Sequence, residues 1–167
     1  MNRFDSVKRY ANTILDEGNV HISSQNKALL YLGKSSYAKG DFKQAEDEFL
    51  ATLNNARDMY GAEAQYMLGQ IYFQQKDYKK SIEALIDLSK NFNAYNDWVG
   101  KGYMLMSDAY LALGDTFQAK GTLRSVADNF PDDFFRKKAK EKIFEIERME
   151  QQKENLIIES DSLIIDN

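Results

Sequence analysis

Apolar residues recur along most of the chain at intervals of three and four, the period of a helix that buries one face. Between them the pattern breaks at short polar clusters such as "AKGDF" and "ALGDT", so it predicts helices joined by tight turns. The pattern also repeats. "NKALLYLGKSSYAKGDFKQAEDEFLATL" from Asn26, "AEAQYMLGQIYFQQKDYKKSIEALIDLS" from Ala62 and "GKGYMLMSDAYLALGDTFQAKGTLRSVA" from Gly100 align without internal gaps. The starts lie 36 and then 38 residues apart. Each copy predicts two helices, and internal repetition on this scale points to an array rather than a single closed core.

The aligned positions carry the residue types that two packed helices need. Gly33, Gly69 and Ser107 are equivalent and small, as are Ala45, Ser81 and Ala119 on the second helix. Small groups at facing positions let helix backbones approach closely. Larger residues recur beside them: Leu32, Leu68 and Met106 on the first helix, then Phe49, Leu85 and Leu123 on the second. Thr52, Leu88 and Val126 continue that second stripe. In the turn, Gly40 and Gly114 stand where helices end in a left-handed residue, and Lys76 replaces glycine in the second copy. Asp41, Asp77 and Asp115 follow at N-cap positions.

This pattern resembles the tetratricopeptide repeat family. The residues that carry the likeness are Leu68-Gly69, Tyr72, Tyr78, Ser81, Leu85 and Leu88, with Leu32-Gly33, Gly40, Phe42, Ala45 and Phe49, then Tyr110, Gly114, Ala119, Leu123 and Pro131. Two departures stand out: the usual period is 34 residues, and Ser36 occupies a position that is typically aromatic. The extra residues are expected around 54–60 and 91–99, lengthening a helix end or a loop. The resemblance implies an all-α fold, a right-handed superhelix of antiparallel helix pairs. The array is expected over residues 1–152, with a half repeat at about 3–20 and full repeats at 26–60, 62–98 and 100–133. In the half repeat Phe4 aligns with Phe42 and Val7 with Ala45, as a second helix without its first. Such a beginning suits a piece of a longer array, or an atypical cap. A capping helix at about 133–152, begun by Asp132 or Asp133, precedes a tail at 153–167 whose apolar triplets at 156 and 163 read as docked on the last helix or as a self-association segment.

Composition then removes several function classes. The chain has 167 residues, one proline and no cysteine, so disulfides, thiolate zinc sites and cysteine nucleophiles are excluded. A net charge of −4 opposes nucleic acid as the main ligand, which needs a basic face. The basic run at 136–142 reads as a solvated helix face. No stretch reaches the length of a membrane span. Gly33-Lys34-Ser35 copies the end of a phosphate loop, but Ala28 replaces the glycine such a loop requires and the tripeptide falls inside a predicted helix. His21 is the only histidine and reads as a loop residue, while Glu46, Asp47 and Glu48 diverge around a helix. No catalytic constellation, metal site or cofactor motif emerges, so the expectation is a protein without catalytic activity, cofactor or metal.

The resemblance instead implies partner binding on the concave face formed by the first helix of each pair. The family's ligand-facing positions map to Lys27, Leu30, Lys34 and Tyr37, to Glu63, Tyr66, Gln70 and Phe73, and to Lys101, Met104, Asp108 and Leu111. Family members that clamp a terminal carboxylate use Lys and Asn where this chain has Leu30 and Lys34, so that specialisation is not expected. The implied ligand is a protein or peptide held by aromatic anchors, although Tyr37 and Phe73 also suit helix packing and Trp98 reads as a packing residue. A scaffold for protein partners leads; a self-associating structural segment (a homo-oligomer joined through the tail or the array ends) and an enzyme's accessory domain are the alternatives. "NFPDD", "LSKNF" and "VADNF" are similar to repeats of bacterial envelope-assembly proteins, which implies a cell-envelope setting.

Overall fold

The computed structural model describes residues 3–17 and 19–165, with side chains for 6–17 and 19–158. The side chains of Phe4 and of the triplet at 163 fall outside these. Among the described residues eight helices follow one another: α1 (Arg3–Asp16), α2 (Ile22–Ala38), α3 (Phe42–Asn55), α4 (Met59–Gln74), α5 (Tyr78–Asn91), α6 (Asn96–Ala112), α7 (Thr116–Asn129) and α8 (Asp133–Ile165). Each packs on its neighbours in sequence, and α2, α4, α6 and α8 also touch one after another. The result is an all-α solenoid of two layers. The first helices α2, α4, α6 and α8 form one layer, and the second helices α1, α3, α5 and α7 form the other.

The three turns inside the pairs are built alike. The Asp41 N–H donates to the Ser36 carbonyl at 3.0 Å, and the Asp77 and Asp115 N–H groups donate to the Tyr72 and Tyr110 carbonyls at 2.9 Å. This closure needs a left-handed residue just past the helix, and Gly40, Lys76 and Gly114 have φ of 79°, 62° and 78°. Each aspartate then caps the next helix, accepting from the N–H of Gln44, Lys80 or Gln118. His21 is the N-cap of α2 rather than a plain loop residue, and its Nδ1 accepts from the Ser23 N–H at 3.3 Å.

Close approach within each pair follows from the small positions. A Cβ on Gly33 would lie 2.5 Å from the Phe49 ring, and one on Gly69 would lie 2.7 Å from Leu85. The fully buried Ser81 hydroxyl donates across the second pair to the Gly69 carbonyl at 2.8 Å. Ser36, where an aromatic is typical, instead donates to Glu48 at 2.6 Å. The first helices start at 22, 59, 96 and 133. The residues beyond the usual period therefore lie in the opening turns of α4 and α6, which place Trp98 on a helix.

The helix expected to end near Gln152 continues to Ile165. At 33 residues it is about 50 Å long, more than twice the length of α7 beside it. Nothing in its sequence stops it: residues 133–165 contain neither glycine nor proline, and the β-branched residues at 157–158 are carried as helix.

Candidate functional site

The twelve residues mapped from the repeat positions lie on α2, α4 and α6, but the packing divides them. Leu30 and Met104 are 1% and 7% exposed and belong to the core; Leu30 lines neither hollow described below, and Met104 reaches only the floor of one. Phe73 and Leu111 are half-buried against the core, with Phe73 set edge-on to Tyr78. Tyr37 tilts against Phe42 at 5.5 Å.

Most of the remaining polar members join one helix to the next; Lys27 is exposed, and Lys101 meets a residue of its own helix. Lys34 Nζ of α2 lies 2.6 Å from Glu63 Oε1 of α4. The Tyr37 hydroxyl donates to Gln70 Oε1 at 3.3 Å, and Gln70 Nε2 donates to the Tyr66 hydroxyl at 2.8 Å. The Tyr66 ring packs on Trp98 of α6 at 5.4 Å, and Lys101 Nζ sits 4.1 Å from the Trp98 ring centre. Farther along, Asp108 Oδ1 lies 2.6 Å from Lys142 Nζ of α8. Burial pushes the phenols of Tyr37 and Tyr66 above the usual tyrosine range, with the Gln70 hydrogen bond opposing the rise at Tyr66. Both hydroxyls therefore remain neutral hydrogen-bonding groups near neutral pH.

A hollow of about 280 Å³ opens at the end of this ladder, lined by Tyr66, Gln70, Lys101, Met104, Leu105, Asp108, Phe134, Phe135 and Lys138. Lys138 lies over the exposed Phe134 ring. Three of these residues come from α8, whose basic run reads from sequence as a solvated face. Lys137, Lys138 and Lys140 of that run are exposed, and Lys138 and Lys142 also border this surface, because the Phe135 ring packs against Gly100 and seats α8 on α6. A larger hollow, about 810 Å³, lies between α1 and α2. Of the twelve mapped residues only Lys27 lines it. Among the described residues, no group of three or more histidine, cysteine or acidic side chains could hold a metal ion. No helix of the described residues is long and apolar enough to cross a membrane.

Comparison with known proteins agrees with this architecture. No curated protein matches the chain. Among solved structures, the crystal structure of MamA shares the fold with a TM-score of 0.57, at 20% sequence identity over 91% of each chain. Family models described as tetratricopeptide repeat match residues 30–93 and residues 102–133, between them more than half of the chain. With matched turns, small-to-large helix contacts and two stacked layers, the chain belongs to the tetratricopeptide repeat family.

Proposed function

We propose that the chain is a non-catalytic scaffold that holds a protein or peptide partner against the layer formed by α2, α4, α6 and α8. The observation that carries this reading is the hollow at Tyr66, Lys101 and Phe134. It sits on the layer that becomes concave when helical pairs stack, and it combines an aromatic floor with two cationic rims. Lys101 and Lys138 lean on aromatic rings and make no ion pair among the described residues, whereas Asp108 is engaged by Lys142. A segment bearing a carboxylate beside an apolar side chain suits that arrangement. The acidic balance of the whole chain, −4, argues for protein rather than nucleic acid as the partner.

The test compares protein capture by the native chain with capture by Lys101→Glu. Lys79→Glu, an exposed change on α5 in the other layer, serves as control. The reading requires a captured protein that is lost with Lys101→Glu and kept with Lys79→Glu. Equal retention by all three, or no capture by any, overturns it.

A further inference from the structure

We propose that the chain associates head to tail, with α8 of one copy seated in the groove between α1 and α2 of the next. The proposal needs no third protein and does not depend on the partner groove. It rests on register. Ala28, Ala64, Gly102 and Ala139 are buried at one level of the four first helices, and Ser35, Ile71, Ala109 and Ile146 are buried at a second. Five residues beyond the first level come Gly33, Gly69 and Ser107, the small positions that face a large residue on the second helix. In α8 that position is Phe144, which is 67% exposed.

The second helices carry the reverse exchange. Phe49, Leu85 and Leu123 are buried at the level that α1 fills with Ala11, because α1 aligns with α3 at the offset that pairs Val7 with Ala45. Inside a pair, glycine on the first helix meets phenylalanine on the second: a Cβ on Gly33 would touch the Phe49 ring. At the proposed junction phenylalanine on the first helix meets alanine on the second. The volumes are swapped, and their sum differs by one methyl group, Ala11 standing against Phe144 where Gly33 stands against Phe49.

Charge is swapped at the same junction. Lys34 of α2 pairs with Glu63 of α4 at 2.6 Å. The residue of α8 level with Lys34 is Glu145, and the residue of α2 level with Glu63 is Lys27. Both are exposed, and neither makes an ion pair among the described residues. Lys27 also lines the α1–α2 groove, beside Ala11 and Ile14. Docking α8 there repeats the contact that α2, α4 and α6 each make with the next two helices, so the solenoid continues across the junction. Such a contact is heterologous, and because it repeats the open stacking of the solenoid, copies add in a line.

The test is sedimentation equilibrium of the chain over a concentration series, with circular dichroism as the control for folding. The native chain is expected to rise in mass past a dimer. Lys27→Glu and Glu145→Lys, each placing like charges together, are expected to weaken association by about tenfold. The double variant, and an equimolar mixture of the two single variants, are expected to regain it. A chain that stays monomeric, a mass that stops at a dimer, or single variants that associate like the native chain would each overturn the proposal.

Discussion

Gly33 shows how a single missing methyl group sets the distance between two helices. Phe49 is fully buried and has no room to retreat from a new Cβ 2.5 Å away. Gly33→Ala is therefore expected to destabilise the chain by about 1–3 kcal/mol, read from urea unfolding, although alanine is the better helix former. Lys76 presents the opposite case. Its φ of 62° is a conformation that costs a side-chain-bearing residue up to about 1 kcal/mol relative to glycine. Lys76→Gly should raise stability by up to that amount, and an unchanged or lower unfolding midpoint would contradict this account.

Between elements, one hydrogen bond gives the junction of α3 and α4 a pH signature. The Tyr72 hydroxyl donates to Glu46 Oε1 at 2.8 Å. Burial, and then this bond, push the Tyr72 phenol up from 10.0 to about 12. The folded chain thus holds its proton more tightly than the unfolded chain does. That contribution is complete below pH 10 and is lost as pH rises through about 12. Tyr72→Phe should flatten the part of the alkaline stability loss that lies in this window, measured by denaturant unfolding at successive pH values. At the other end, α8 extends far past α7, and Leu156, Ile157 and Ile158 are 66%, 51% and 61% exposed. Truncation after Gln152 should shift unfolding free energy by no more than about 0.5 kcal/mol, while lowering the helical signal in circular dichroism.

The whole molecule behaves as a row of neighbours. Contacts run between adjacent helices and between successive first helices, so stability is close to a sum of local and nearest-neighbour contributions. A lesion should then stay near its origin. Gly33→Ala is expected to speed hydrogen exchange in α2 and α3 while leaving protection in α7 largely unchanged. A uniform loss of protection in every helix would indicate a single cooperative unit instead. The same one-dimensional logic underlies the proposed head-to-tail assembly, because an array that adds pairs by repetition can also add copies.

Much of this was legible in the chain itself. Glycine-aspartate turns, small residues facing large ones and the three-and-four spacing depend on interactions between residues close in sequence, and they fixed the helix pairs and their caps. What sequence could not assign was exposure within a helix. Leu30 and Tyr66 occupy the same repeat position, yet the first is buried and the second reaches Trp98 and Gln70. The difference arises from which neighbours crowd each helix, and those neighbours lie in other repeats. Lys138 and Lys142 joined the candidate surface for the same reason: periodicity marks a helix face as polar, but only the seating of Phe135 against Gly100 decides what that face meets. Local chemistry determined the repeat, and long-range packing determined which parts of it remain open to bind.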